Sequence, residues 1–221
     1  AQTTYYFTAA AQLGSPDTPV GFSVPTGNFG DIFAGYVAAQ MGLPVARLMI
    51  ATNVNDILAR VMQAGIYETE EVIATSSPSM DIQVSSNFER LLFELTSRDA
   101  PRVSGFMDAL ARDGRFEMAE DEVALMSALF DAARVDEAQT QETMRDVLKR
   151  FDMQIDPHTA VGLVAARRAV LPDGVPMVTL ATAHPAKFPA AVEAAFGTGT
   201  DIPARVREMM AQPERISPVE N

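Results

Sequence analysis

Gly27 and Gly30 stand three residues apart in Val24-Pro25-Thr26-Gly27-Asn28-Phe29-Gly30-Asp31. An apolar run, Val20 to Val24, leads into this turn, and a helical pattern leaves it. Glycines let a backbone bend and approach a ligand closely, and the N–H groups at a helix start attract anions. The turn therefore reads either as a phosphate cradle or as a plain strand-to-helix turn. It has neither the Lys-Ser/Thr of a Walker loop nor the dinucleotide fingerprint spacing, which disfavours nucleotide hydrolysis and dinucleotide binding. Asp31 suits the helix dipole but would compete with a bound phosphate.

Three further segments place polar groups at element junctions. Ser85-Ser86-Asn87-Phe88-Glu89-Arg90-Leu91 reads as a capped helix with Leu91, Leu92 and Leu95 in the core, or as an anion site. In the second case Ser86 and Asn87 donate and Arg90 supplies the charge. Asp156-Pro157-His158-Thr159-Ala160-Val161-Gly162 starts a helix with His158 in its first turn. Ala181-Thr182-Ala183-His184-Pro185-Ala186-Lys187-Phe188-Pro189 follows a buried strand. His158 and His184 are the only two histidines. At such junctions histidine more often serves as a structural hydrogen-bonder than as a catalyst, and no spacing favours a metal site of two His and an acid.

The elements that must position these groups alternate in type. Residues 1–13 read as a helix ended by Gly14-Ser15-Pro16-Asp17, and Val20 to Val24 as a strand. Residues 29–41 form a helix, with Ile32, Phe33, Tyr36, Val37 and Met41 at helical spacing. Arg47 to Thr52 is a strand, and Asn53-Val54-Asn55-Asp56 caps a helix to about Ala64. This alternation predicts βαβ units, a parallel sheet and an α/β fold, with the glycine turn at a strand's carboxyl end, where such sheets bind ligands. Residues 74–86, rich in small hydroxyl residues, read as loop, and Asn87 caps a helix through Leu95. An inserted all-helical segment, about 100–150, shows two or three acidic helices and no strand signal. The α/β pattern resumes with a helix at 159–170, a strand from Met177 to Leu180 and a helix at 187–195. Residues 198–221, with three prolines, predict an irregular tail.

At 221 residues and 48% hydrophobic, the chain can bury a substantial core. No apolar run is long enough to cross a bilayer. The net charge of −12 argues against nucleic acid and anionic membranes as partners. The absence of cysteine excludes thiolate metal sites and fits a reducing, cytoplasmic setting. There is no secretory leader in view, and Ala1 stands in what reads as a helix already under way, so residues are expected upstream.

Together, VPTGNFGD, SSNFERL, DPHTAVG and ATAHPAKF resemble the signature runs of the threonine synthase family, in that family's order. VARLMIATNVND, SPSMDI and the Ala1-Gln2 and Tyr5-Tyr6-Phe7 runs are similar to its linking segments, so the resemblance spans nearly the whole chain. It implies a tryptophan synthase β-like fold for pyridoxal 5′-phosphate (PLP), incomplete here, as one domain over 1–221 with helical segment 97–150 and tail 198–221. It implies conversion of O-phosphohomoserine and water to threonine and phosphate. Gly27, Asn28, Phe29, Gly30 and Asp31 would cradle the cofactor phosphate, and Thr182 would bond the pyridine nitrogen. Ser85, Ser86, Asn87 and Arg90 would face the substrate's phosphate, with Asp156 and His158 as pocket or supporting groups.

One departure is serious. The family's Schiff-base lysine lies in a Phe-Lys-Asp type segment upstream of these runs, and the only lysines here are Lys149 and Lys187. No catalytic residue is therefore assigned within the chain. The expectation is a later portion of a threonine synthase, inactive alone, whose partners are the missing N-terminal portion and a second copy meeting an exposed apolar surface. The alternatives are another lyase or dehydratase of the same fold type, a non-catalytic module that binds a phosphate compound, or a structural α/β domain.

Overall fold

The computed structural model describes residues 1–200 and 202–218. The elements run α1 (Thr3–Gln12), β1 (Val20–Pro25), α2 (Gly30–Gln40), β2 (Val45–Thr52), α3 (Ile57–Ala64), β3 (Ile66–Glu68) and α4 (Phe88–Leu95). They continue with α5 (Ala100–Asp113), β4 (Arg115–Glu117), α6 (Glu120–Ser127), β5 (Phe130–Arg134) and α7 (Glu137–Phe151). After these come α8 (Pro157–Ala166), β6 (Met177–Thr179), α9 (Pro189–Phe196) and α10 (Ala204–Met210).

Four strands form a parallel sheet in the order β5-β2-β1-β6, as the α/β reading requires. β1 is buried along its whole length, because helices cover both faces of the sheet. The side chains divide by the strand period of two. Phe22, Val24, Leu48 and Ile50 enter one core with α1 to α5, whereas Met49, Ala51 and Ala133 join Val161 and Val164 of α8 on the other face. Two helices approach by virtue of glycines. A Cβ on Gly35 of α2 would lie 2.6 Å from the Tyr6 ring of α1, and one on Gly162 of α8 would lie 2.9 Å from Thr179. The Ser23 hydroxyl, inside β1, donates to the Gly162 carbonyl at 2.6 Å and fixes α8 across the strand.

The segment expected to be wholly helical between about 100 and 150 carries β4 and β5. β5 pairs with β2 from Leu48↔Phe130 to Thr52↔Arg134 and forms an edge of the main sheet. Its sequence, Phe-Asp-Ala-Ala-Arg, has little strand preference of its own; the neighbouring strand imposes the conformation. β4 pairs antiparallel with β3 in a separate two-stranded sheet, packed through Tyr67 stacked on Phe116 at 4.9 Å and on Phe88 at 5.4 Å. The tail expected to be irregular holds α10, a run of seven residues free of proline. Asp56, at the cap position of α3, makes no side-chain cap bond; its carboxylate pairs with Arg60 and Arg134.

Candidate functional site

The glycine turn is a strained loop held from outside. Phe29 takes a left-handed conformation, φ 68°, with its ring buried against Phe88 and Phe130. Burial of that ring in the aromatic core offsets the backbone cost. The Asn28 Oδ1 accepts the Gly30 N–H at 2.9 Å. The loop's carbonyls are bound elsewhere: the Ser85 hydroxyl donates to Gly27 O at 2.7 Å, and Asn87 donates to Asn28 O from both its N–H and its Nδ2. The N–H groups of Gly27, Asn28, Phe29, Asp31 and Ile32 have no partner among the described residues. Carbonyls tied back and N–H groups left free make an anion-binding concavity at the start of α2. Glycine is required at 27 by contact, since a Cβ there would strike the Ser79 carbonyl oxygen.

Five stretches of chain meet in a cleft of about 180 Å³ beyond the carboxyl ends of β1 and β6. Gly27, Asn28 and Asp31 line it with Ser79, His158, Thr182 and Lys187. A neighbouring cleft of about 480 Å³ shares Gln2, Asp31 and Thr182 and extends toward α1. Burial pushes the Asp31 carboxyl above its ordinary range, opposed by the Tyr6 hydroxyl, which lies 3.4 Å from Oδ1 and donates to the Asp31 carbonyl at 2.8 Å. Burial and the nearby Asp31 charge hold the Tyr6 phenol well above its usual range.

Asp156 and His158 stand behind this wall. Asp156 is fully buried at the start of α8 and accepts from the His158 N–H, the Thr159 N–H, the Thr159 hydroxyl and His158 Nδ1. With its Nδ1 proton given to Asp156, the ring presents Nε2 as an acceptor, and the Ser79 N–H donates to it at 3.2 Å. The pair thus fixes the Ser79 backbone, which in turn closes over Gly27. The same segment is held from β2's end: Asp81 Oδ1 accepts from Asn53 Nδ2 (2.7 Å), Asn55 Nδ2 (3.1 Å) and the Thr75 hydroxyl (2.7 Å).

Of the twelve residues singled out in the sequence, five line the small cleft: Gly27, Asn28, Asp31, Thr182 and His158. Phe29, Ser85 and Asn87 shape the loop from behind, and Gly30 begins α2 within it. Asn87 occupies the cap position of α4 without capping it, because its amide is spent on Asn28. Ser86 and Arg90 are exposed, and Arg90 lines a separate groove with Phe33, Phe93 and Val103. Sequence reasoning missed Gln2 and Ser79 as cleft-lining residues and left Lys187 unassigned. The Ser-Pro-Ser run around Ser79 reads only as loop in the sequence, since its position depends on partners far along the chain.

Arrangement and fold place the chain among the parallel-sheet α/β proteins whose ligand site follows the strand ends. A threonine deaminase from T.th. shares the fold alone, with a TM-score of 0.52 and 16% identity over 81% of this chain and 54% of that one. Residues 159–221 match the family model described as threonine synthase, C-terminal. The chain is 48% identical over 222 residues to a threonine synthase of Pseudomonas aeruginosa, covering 100% of this chain and 47% of the relative. A PLP-bound threonine synthase structure from Brucella melitensis superposes with a TM-score of 0.93 and 52% identity, over 96% of this chain and 46% of that chain. The chain belongs to the threonine synthase family and spans about half the length of the curated relatives it matches.

Proposed function

We propose that this chain is the part of a PLP-dependent threonine synthase that seats the cofactor's phosphate, in a protein that converts O-phosphohomoserine and water to threonine and phosphate. The observation that carries the reading is the set of free N–H groups at Gly27, Asn28, Phe29, Asp31 and Ile32, in a cleft that also contains Thr182. The chemistry of these donors fits the group. Backbone N–H groups at a helix start suit a phosphate dianion, and a threonine hydroxyl suits a neutral ring nitrogen. When bound, PLP supplies the electron sink that lets protons move along the substrate's carbon chain.

The chain's own residues bind and orient. The glycine loop holds the phosphate through its backbone, and Thr182 bonds the pyridine nitrogen. Ser85 and Asn87 act through the loop, keeping its carbonyls turned away from the anion. Ser86 and Arg90, exposed and without a side-chain polar partner among the described residues, are assigned to the substrate's phosphate, Arg90 from its own groove beside Phe33 and Phe93. Asp156 and His158 position Ser79. The lysine that carries the cofactor and moves protons lies outside these 221 residues, so the chain alone is inactive. The setting is threonine biosynthesis in the cytoplasm.

The test is turnover. The full-length protein is expected to release phosphate and threonine from O-phosphohomoserine, and the isolated chain to release neither. Turnover by the isolated chain, or none by the full-length protein, would overturn the reading.

A further inference from the structure

Lys187 is the one cation among the residues lining the small cleft. His158 is there as a hydrogen-bond acceptor for Ser79, not as a charge. The protein carries a net charge of −12, and Asp31 shares the cleft, so a phosphate monoester entering it meets an unfavourable field. Free N–H groups alone contribute partial charges against a dianion. Lys187 has no carboxylate partner among the described residues, so its charge is not already spent.

The side chain is also placed with care. Pro185–Lys187 is a single 3₁₀ turn, and His184 holds it at both bonds: Ala186 N–H donates to His184 Nδ1 at 3.1 Å and Lys187 N–H to His184 O at 3.0 Å. The Lys187 Nζ lies 5.6 Å from the centre of the Phe188 ring. That ring in turn packs 4.6 Å from His158, the residue bolted to buried Asp156. A line of contacts, Asp156 to His158 to Phe188 to Lys187, ends at an exposed lysine that lines the glycine loop's cleft and has no carboxylate partner among the described residues.

We propose that the Lys187 ammonium is the counter-charge for a phosphate monoester held on the free N–H groups of Gly27 to Ile32. This rests on the reading of the cleft as a cofactor-phosphate site and adds to it a charged binding residue, distinct from the covalent lysine. The experiment separates the cofactor's phosphate from the substrate's.

The full-length protein is compared with its Lys187→Gln and Lys187→Arg variants by titration with PLP, with pyridoxal, which lacks the phosphate, and with inorganic phosphate. Loss of a charge-assisted bond predicts about 10- to 100-fold weaker PLP binding in Lys187→Gln, with pyridoxal binding unchanged and PLP binding largely restored in Lys187→Arg. Unchanged PLP binding with a KM for O-phosphohomoserine raised to the same extent would assign the charge to the substrate's phosphate and overturn its place beside the cofactor's. Equal losses for PLP and pyridoxal, or no change in PLP affinity and KM together, would overturn it. If the wild-type protein bound no PLP and turned over no substrate, the functional reading would fail by itself. Inorganic phosphate then decides for Lys187: weaker binding by Lys187→Gln upholds its role, and equal binding refutes it.

Discussion

At Gly27 two restraints meet. Its carbonyl is held by the Ser85 hydroxyl, and its Cα faces the Ser79 carbonyl, whose own residue is held by His158. Neither side can yield to a methyl group. Gly27→Ala is expected to cost about 1–3 kcal/mol in urea unfolding and to abolish PLP binding by the full-length protein; a wild-type midpoint would refute the packing account. Asp156 concentrates bonds in the same way, since it caps α8 and fixes the His158 tautomer from a fully buried site. Asp156→Ala should lose about 2–3 kcal/mol by the same measurement. Asp31 sets a pH dependence. Its folded pKa is raised above 3.8, so its contribution favours the folded state at acid pH and is lost as pH rises through the raised value. Asp31→Asn should therefore gain on the wild type in unfolding midpoint between about pH 4 and pH 7, by denaturant titration at both.

At the scale of elements, the site is positioned by strand ends and by loops folded back on them. β1 and the start of α2 were legible in the sequence because an apolar run, two glycines and a helical stripe are all local signals. The cleft was legible only in part. The Ser79 segment is placed by Asn53, Asn55 and His158, 24 to 79 residues away, and no local pattern announces that. β5 was illegible for the converse reason: its partner, β2, dictates its conformation, and its own Asp-Ala-Ala core does not. α5 and α6 are joined by Glu122, which is buried and accepts from Arg102 Nε at 2.5 Å and from the Ala119 N–H at 2.8 Å. The Arg102 bond holds its carboxyl below the usual 4.5, so this pair's stabilisation is present above that value and is lost as pH falls through the lower folded one. Glu122→Gln should flatten the acid limb of the stability profile, followed by circular dichroism; an unchanged limb would show the pair to be idle.

At the scale of the molecule, no helix among the described residues is long and apolar enough to cross a membrane. An apolar groove of about 720 Å³ opens between Val147 and Phe151 of α7, Met153, Leu163 of α8 and Pro185. Phe151 and Met153 are 62% and 52% exposed there, and such a surface favours association. The isolated chain is expected to self-associate in sedimentation experiments, and replacing Phe151 and Met153 with Glu to weaken that association; a monomeric isolated chain would contradict the expectation, and association undiminished by the replacements would place the sticky surface elsewhere. The central claim is a division of labour: these residues hold the cofactor's phosphate, and a lysine elsewhere in the protein holds the cofactor covalently. The most direct measurement is borohydride reduction of the PLP-loaded full-length protein, followed by peptide mapping of the pyridoxyl group. The account predicts the label on a lysine outside this chain; a label on Lys149 or Lys187 would contradict it.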